Sequence, residues 1–134
     1  MKIVIDTNVF ISGIFFGGYP KRIIRAVATQ ELDACASPQI LEEYQEITQE
    51  MIARLQGKID EDALSLFFQN LEMVLPSAHI ELCRDPDDDK FLECAKDSGA
   101  LYICSGDKDL LVLEKFENIQ IITAREFCEK FHIC

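Results

Sequence analysis

Short apolar runs alternate with longer amphipathic stretches along the whole chain. The candidate strands lie at residues 3–5, 32–36, 78–82, 101–104 and 119–122. Between them, apolar residues recur at the three- and four-residue spacing of a helix. Strands and helices that alternate in this way form a parallel sheet with helices on both faces. We therefore predict an α/β fold with a mostly parallel sheet of about five strands, in a single domain that spans residues 1–134.

Some helix ends are marked by their residue types. Ser37 followed by Pro38 is typical of a helix start, with Ser as the N-cap and Pro in the first helical position. We expect that helix to end at Gly57 or shortly before it. Asp60 is expected to cap the next helix, which runs until Pro76 stops it.

Composition indicates a globular protein, because 49% of the 134 residues are hydrophobic. Charges interrupt the apolar runs well before the ~18 residues that a membrane span needs. Lys2 is followed by only three apolar residues before Asp6, which is too few for a secretory signal, so we expect a cytoplasmic protein with no membrane partner. Six dispersed cysteines without a C-x-x-C pair predict free thiols, with Cys134 exposed.

The net charge of −11 argues against simple binding to a phosphate backbone, which relies on Lys and Arg. Two explanations are open: the acids surround a divalent cation, or the protein pairs with a basic partner. Lys21, Arg22 and Arg25, on the second predicted helix, are the best candidates for phosphate contacts. An ordinary solvated helix face explains them equally well.

Two acids follow the ends of predicted strands. Asp6 comes directly after the first apolar run, and Asp107 follows the run 101–104 in a turn that contains Gly. Ligands of open parallel sheets bind beyond the carboxyl ends of the strands. Asp109 lies two residues further on, and Ser105 offers a supporting hydroxyl. Helix capping is the alternative explanation for Asp107 and Asp109.

Helical phase distinguishes Glu43 from its neighbours. At 3.6 residues per turn, Glu42 and Glu46 point away from the apolar stripe of the helix after Ser37. Glu43 lies one turn from both Ile40 and Ile47, so its carboxylate can reach the rim of the core.

The same test applies to the dense acidic cluster at residues 84–89. Asp88 precedes apolar residues at helical spacing and is expected on the buried face. Asp87 is a natural N-cap, and Asp89 is expected to point outward. Helix capping therefore explains the acidic neighbours of Asp88 but does not explain Asp88 itself.

Four carboxylates thus arise independently at strand ends or on inward helix faces: Asp6, Glu43, Asp88 and Asp107. Two unit charges ~4 Å apart repel by about 4 kcal/mol at an effective dielectric constant near 20. Several such acids would protonate or spread apart unless a cation were present. Oxygen ligands with remaining waters favour Mg²⁺ or Mn²⁺.

The missing residue types narrow the reaction. The two histidines are His79, which enters a weak predicted strand, and His132, near the end of the last predicted helix; these positions disfavour a two-histidine acid–base mechanism. The sequence has neither a P-loop nor a dinucleotide fingerprint. Asn8 stands where a phosphatase with an aspartyl nucleophile would carry a second Asp. The reaction left after these exclusions is metal-assisted hydrolysis with water as the nucleophile.

Four segments in series resemble the PIN domain family. They are Ile5-Asp6-Thr7-Asn8-Val9, Ser37 with Glu43 after it, Arg84-Asp85-Pro86-Asp87-Asp88-Asp89, and Ser105-Gly106-Asp107-Lys108-Asp109-Leu110-Leu111. The likeness is greatest to toxins related to VapC-like toxin–antitoxin ribonucleases, and it keeps the motif order over nearly the whole chain. Ser105 stands where the family more often has Thr.

The resemblance implies a three-layer α/β/α fold and Mg²⁺- or Mn²⁺-dependent cleavage of RNA. It implies catalytic and metal-binding roles for four acids, with Asp109 as a further metal ligand and with Asn8 and Ser105 in support; the four are Asp6, Glu43, Asp88 and Asp107. It leaves open whether one or two metals bind, and whether Asp107 or Asp109 is the closer ligand.

A toxin of this kind implies a small antitoxin, for which charge complementarity predicts a basic segment, and a homodimer. Two other functions are open. One is a non-catalytic interaction module, favoured by the net charge of −11. The other is a DNA-directed nuclease with the same metal chemistry, for which the short chain has no obvious element that threads a DNA end.

Overall fold

The computed structural model describes residues 1–55 and 59–134. In these residues the strands are β1 Lys2–Ile5, β2 Asp33–Ala36, β3 Glu72–Met73, β4 Tyr102–Cys104, β5 Lys115–Phe116 and β6 Ile119–Ile122. The helices are α1 Thr7–Phe15, α2 Gly18–Ala28, α3 Pro38–Leu55, α4 Glu61–Gln69, α5 Asp89–Ser98, α6 Lys108–Leu111 and α7 Ala124–Phe131. A 3-10 turn at Pro86–Asp88 leads directly into α5.

The strands form one sheet in the order β3-β2-β1-β4-β6-β5. Every pair is parallel except β5 with β6, which is antiparallel. The prediction of a mostly parallel sheet is therefore confirmed. The sheet of the described residues has one strand more than predicted, because the short β5 pairs with β6.

The strand order reverses at β1. The chain leaves β1 for β2 and β3 on one side, and later returns to β4 and β6 on the other. The carboxyl ends of β1 and β4 therefore open at a topological switch point, where α/β proteins bind ligands. Asp6 follows β1, and its backbone N–H donates to the carbonyl oxygen of Cys104 at 3.0 Å.

The central strands are covered on both faces. Ile3, Val4 and Ile5 are fully buried, although successive side chains of a strand point to opposite faces. Ile103 and Cys104 of β4 are fully buried as well. Helix α5 packs against β1, β2 and β4, while α2 contacts α1, α4 and α7. The three-layer arrangement of helix, sheet and helix is thus confirmed.

The predicted strand at residues 78–82 is wrong. Residues 74–82 have no regular secondary structure, and β3 lies earlier in the chain. Backbone N–H groups of this segment donate to side chains of α5 rather than to the carbonyl groups of a neighbouring strand. The carboxylate of Asp97 accepts from Ser77 and Ala78 at 2.6 and 2.9 Å, and Glu93 accepts from Ile80 at 2.9 Å.

Two of the predicted helix starts are confirmed. The Ser37 hydroxyl accepts a hydrogen bond from the backbone N–H of Ile40 at 3.3 Å, and α3 begins at Pro38. Asp60 caps α4. That helix ends at Gln69, well before Pro76, and the predicted helix end near Gly57 lies outside the described residues.

The described helices include none that is long and apolar enough to cross a membrane. The six cysteines are free, as predicted, and Cys134 is exposed.

An aromatic cluster supports the end of β1. Phe10 of α1 stacks on Tyr44 of α3 with ring centroids 4.4 Å apart, and Phe67 of α4 packs against both. The buried Tyr44 hydroxyl donates a hydrogen bond to the carbonyl oxygen of Ile5. Three helices thereby fix the last residue of β1, which precedes Asp6.

Helices α1 and α2 pack closely at Gly13. A Cβ atom at this position would lie 2.4 Å from Ile24 Cγ1 and 2.8 Å from the Pro20 carbonyl oxygen. We expect Gly13→Ala to lower the free energy of unfolding by about 1–3 kcal/mol, because the two helices must separate. Urea unfolding measures this change.

Gly106→Ala is the matched control, since nothing lies within 4 Å of a Cβ atom there. A loss of stability equal to that of Gly13→Ala would contradict the packing argument.

Candidate active site

Asp6 lies at the end of β1 and caps α1. The carboxylate is 3% exposed, and Oδ1 accepts a hydrogen bond from the backbone N–H of Val9 at 2.8 Å. Oδ2 accepts a hydrogen bond from the fully buried Ser105 hydroxyl. Ser105 follows β4, so this bond joins the ends of the two central strands.

The electrostatics of Asp6 reflect its position. Burial raises the pKa of Asp6, and the charge of Asp107 acts in the same direction. Hydrogen bonds from Ser105, Val9 and Gly106 oppose this rise by stabilising the ionised form. Asp6 is therefore a buried, well-oriented carboxylate close enough to Asp107 for their charges to interact.

Ser105 also orients Asp107. The backbone N–H of Asp107 donates to Ser105 Oγ at 2.9 Å. Asp107 Oδ1 in turn accepts from the backbone N–H of Asp109 at 2.9 Å, so Asp107 caps α6. Asp107 is therefore a helix cap, and the same hydrogen bonds fix the orientation of its carboxylate near Asp6.

Three acids converge beyond these strand ends. One carboxylate oxygen each of Asp88, Asp107 and Asp109 lies within 4.8 Å of the others, and we call this group the acid cluster. Asp88 is 8% exposed, and its Oδ2 has no hydrogen-bond partner among the described residues. Burial, followed by the charges of Asp107 and Asp85, raises the pKa of Asp88 to about 7.

Arg84 covers one member of the acid cluster. Its guanidinium pairs with both carboxylate oxygens of Asp109, with Nε 3.0 Å from Oδ1 and Nη2 3.2 Å from Oδ2. The Arg84 side chain is 86% exposed, so water can replace this contact readily.

Glu43 lies outside the acid cluster and has other partners. The Thr7 hydroxyl donates to Glu43 Oε2 at 2.7 Å. The ammonium group of Lys90 lies 3.1 Å from the same oxygen and 2.9 Å from Asp87 Oδ2. The Glu43 carboxylate is thus tied to α1 and α5.

The phase predictions for Glu43 and Asp88 are confirmed for position. Glu43 is partly buried, whereas Glu42 and Glu46 are exposed. Asp88 is buried as expected. The catalytic and ligand roles of the four predicted acids and of Asp109 stay predictions.

Two predictions for the neighbours of Asp88 are wrong. Asp89 is buried rather than directed outward, because the irregular segment before α5 folds over it. Its Oδ1 accepts from the backbone N–H groups of Leu82 and Cys83 at 3.2 and 2.8 Å. Asp85, not Asp87, is the N-cap of the 3-10 turn, since its side chain accepts from the N–H of Asp87.

The predicted supporting and RNA-binding residues lie around these acids and along α2. Asn8 is exposed in the first turn of α1 and, with Ser105, lines a concavity of about 270 Å³ that extends to Tyr19. Arg22 lies over the Tyr19 ring at 4.7 Å. Arg25 is exposed and Lys21 is partly buried on the same helix.

The acid cluster matches the ligands that hard divalent cations prefer. All its donor atoms are carboxylate oxygens, and the Oδ2 of the buried Asp88 has no hydrogen-bond partner among the described residues. Among these residues, the cation that contacts the cluster is the exposed Arg84. The sequence did not predict three residues that contact carboxylates of the site: Thr7, Arg84 and Lys90. The sequence pattern contained no signal for these contacts, since a hydroxyl or a cation next to acids is common on any protein surface.

Comparisons with known proteins give the family and the fold of this chain. A family model described as the PIN domain matches residues 2–109. MJ1680, an uncharacterized protein of Methanocaldococcus jannaschii, is 32% identical over 143 residues that cover 98% of this chain and 92% of that protein. A chain in the crystal structure of VapBC2 from Rickettsia felis bound to a DNA fragment from their promoter has a similar fold. The TM-score is 0.59 at 15% identity, over 90% of this chain and 97% of that chain.

The matched residues include the whole acid cluster together with Asp6 and Glu43. PIN domains are in general nucleases and typically bind a divalent metal. The resemblance predicted from the four motifs is confirmed: the chain belongs to the PIN domain family.

Proposed function

We propose that this chain is an endoribonuclease that depends on Mg²⁺ or Mn²⁺ and hydrolyses RNA phosphodiester bonds with water, as the toxin of a type II toxin–antitoxin pair. One observation carries the proposal: Asp88 is buried, its Oδ2 has no partner among the described residues, and its carboxylate lies in one cluster with those of Asp107 and Asp109. A buried, unpaired acid beside like charges is costly unless a cation binds there.

The residues of the site have distinct roles in this proposal. Asp88, Asp107 and Asp109 hold the ion, while Asp6 and Ser105 fix the turn that carries Asp107. A bound divalent ion supplies a Lewis acid that activates water and offsets negative charge at the phosphate. We expect products with 5′-phosphate and 3′-hydroxyl ends. The predicted catalytic roles of Asp6 and Glu43 belong to the same proposal.

The positions of the histidines support hydrolysis by water. His79 is exposed and contacts Glu81 at 2.9 Å and Glu93 at 3.7 Å, away from the acid cluster. His132 follows the C-terminal end of α7. Neither contacts the acid cluster among the described residues, so the protein offers carboxylates there rather than an imidazole.

Cleavage of an unstructured RNA in Mn²⁺ and in EDTA tests the proposal. We expect Asp6→Asn to reduce the Mn²⁺-dependent rate at least about 100-fold, since the two oxygens of Asp6 hold the start of α1 and the Ser105 hydroxyl that orients Asp107. Asp62→Asn, the same change at an exposed acid of α4, is the control and should cleave like the wild type.

Other outcomes have separate meanings. Full Mn²⁺-dependent activity in Asp6→Asn would contradict the assignment. A chain that binds no Mn²⁺ would favour the non-catalytic interaction module. Preferential cleavage of DNA would favour the DNA-directed nuclease.

The proposed partner is a small antitoxin with a basic segment. The net charge of −11 favours such a partner through charge complementarity. The structurally similar VapBC2 of Rickettsia felis was crystallised bound to a DNA fragment from their promoter. We also propose a homodimer, which light scattering of the purified chain tests directly.

We expect Arg22, one of the three predicted RNA-binding residues, to meet RNA near the site. It covers the Tyr19 ring, and Tyr19 lines the concavity that reaches Asn8 and Ser105. We expect Arg22→Ala to weaken RNA binding and to reduce the slope of log K against log salt by about 1, as for one lost phosphate contact. Fluorescence anisotropy in Ca²⁺ measures this slope.

Lys115→Ala is the control, because Lys115 is exposed on β5 at the edge of the sheet. An equal change of slope in both variants would contradict a specific contact at Arg22.

A further inference from the structure

Lys90 is a buried cation enclosed by oxygen atoms. The side chain is 5% exposed, and Nζ lies 2.8 Å from the Asp87 carbonyl oxygen, 2.9 Å from Asp87 Oδ2 and 3.1 Å from Glu43 Oε2. An ammonium group has three hydrogen-bond donors. Three oxygen acceptors therefore match them one for one, so the charge is held at a fixed position.

The carboxylates around the site divide into two groups by their cations. Glu43 and Asp87 share the buried ammonium of Lys90. The acid cluster contacts Arg84, which is 86% exposed, and Asp88 Oδ2 has no partner among the described residues. The first group is paired with a buried cation, whereas the cation that contacts the second group is exposed to water.

Glu43 is also anchored independently of any metal. Its Oε2 accepts from the Thr7 hydroxyl at 2.7 Å and contacts Lys90 as well. Thr7 belongs to α1, Glu43 to α3 and Lys90 to α5. One carboxylate oxygen thus joins three helices, and a divalent ion at this oxygen would have to displace the ammonium.

We infer that Lys90 takes the place of a second divalent ion, so that the site binds one ion, at Asp88, Asp107 and Asp109, and Lys90 positions Glu43. The inference rests on the proposed function and decides between one and two metals. Lysine suits this role because its ammonium is a compact point charge with three rotatable donors. The repulsion between Glu43 and Asp87 is offset permanently, and the ion is needed only at the acid cluster.

Titration calorimetry of the intact chain with Mn²⁺ alone, without RNA, tests the inference. We expect one ion per wild-type chain. Lys90→Met vacates a position surrounded by two carboxylates and a carbonyl oxygen, so we expect two ions per chain. Lys90→Arg keeps the charge and should bind one ion. Lys96→Met is the matched control on the same helix, because Lys96 is exposed and its ion pair within the described part of the chain is with Glu117, at 3.4 Å.

The outcomes separate this inference from the proposed function. Two ions on the wild type, or one ion on a folded Lys90→Met, would overturn the role of Lys90 alone. No ion on the wild type would overturn the metal-dependent function as well. A lysine that merely packs against its neighbours would change stability but would leave the number of ions at one.

Glu43→Gln keeps the inference testable if Lys90→Met does not fold. We expect this variant to bind one ion with an affinity within about tenfold of the wild type, since Glu43 contacts Lys90 rather than the ion. Its metal-free melting temperature should fall, because Lys90 loses a charged partner. A larger loss of Mn²⁺ affinity would make Glu43 a direct ligand and overturn the inference.

Discussion

Asp88→Asn is expected to reduce Mn²⁺-dependent RNA cleavage at least about 100-fold and to stabilise the metal-free protein at neutral pH. Both effects have one cause. The Asp88 carboxylate is 8% exposed beside two other acids, and its Oδ2 has no partner among the described residues. The neutral amide of Asn removes the repulsion and removes a ligand for the ion. Function and metal-free stability should therefore change in opposite directions.

The pH dependence of the metal-free fold gives the sharper test. Burial and the charges of Asp107 and Asp85 raise the pKa of Asp88 to about 7, from an ordinary value of 3.8. Because the folded-state pKa is the higher, the contribution of Asp88 to stability falls as pH rises from about 4 to about 7. Above that range the loss is complete and constant. Asp88→Asn should therefore flatten this part of the stability curve.

Thermal unfolding in EDTA at about pH 5 and about pH 7.5 measures this effect. The difference between the two melting temperatures should be smaller in Asp88→Asn than in the wild type. Added Mn²⁺ should raise the melting temperature of the wild type at the higher pH, since the ion binds the folded state, and should act weakly on the variant. Asp62→Asn should behave as the wild type does. If Asp88→Asn has the same pH dependence as the wild type, the ionisation of Asp88 is not what destabilises the metal-free fold as pH rises.

The acids that local geometry positions could be predicted from the sequence. Asp6 and Asp107 follow apolar strands whose carboxyl ends meet at the switch point. The 3.6-residue period of a helix correctly predicted that Glu43 lies nearer the core than Glu42 and Glu46 and that Asp88 is buried. The backbone fixes this period without reference to the rest of the fold. Each of these positions depends on one element and its immediate flanks.

The partners of those acids could not be predicted, because each contact crosses between elements far apart in sequence. Thr7 and Glu43 are 36 residues apart, and Arg84 and Asp109 are 25 apart. The contact between Lys90 and Glu43 depends on how α3 and α5 pack, which spacing within either helix does not determine. Lys90 stands in an acidic run and has the composition of a solvated surface residue.

The prediction that Asp89 points outward was wrong for a related reason. Helical phase counted only the apolar side chains of α5 itself. The irregular chain before α5 covers another side of this helix, and carboxylates at Asp89, Glu93 and Asp97 accept its backbone N–H groups. These acids recur every four residues, so they lie on one side of α5. The same contacts explain why residues 78–82 form no strand, since their donors are already bonded to side chains.

Asp89→Ala is therefore expected to lower the free energy of unfolding by about 3 kcal/mol or more, since two hydrogen bonds to a buried charged acceptor are lost. The backbone N–H groups of Leu82 and Cys83 would lose their acceptor. Because the covering segment continues into Arg84 and Asp88, its release should also loosen the acid cluster. We expect faster amide exchange at Leu82 and Cys83 together with weaker Mn²⁺ binding, measured by mass spectrometry and calorimetry.

Asp89→Asn provides the matched control, because its amide oxygen still accepts hydrogen bonds at the same position. It should retain most of the protection of Leu82 and Cys83, whereas Asp89→Ala should lose it. Asp97→Ala, at the exposed end of the same row, should cost less, because water can replace its contacts with Ser77 and Ala78. Equal amide exchange in Asp89→Ala and the wild type would show that the segment is held by its apolar contacts. The order of Asp88 would then have to come from the 3-10 turn and α5 alone.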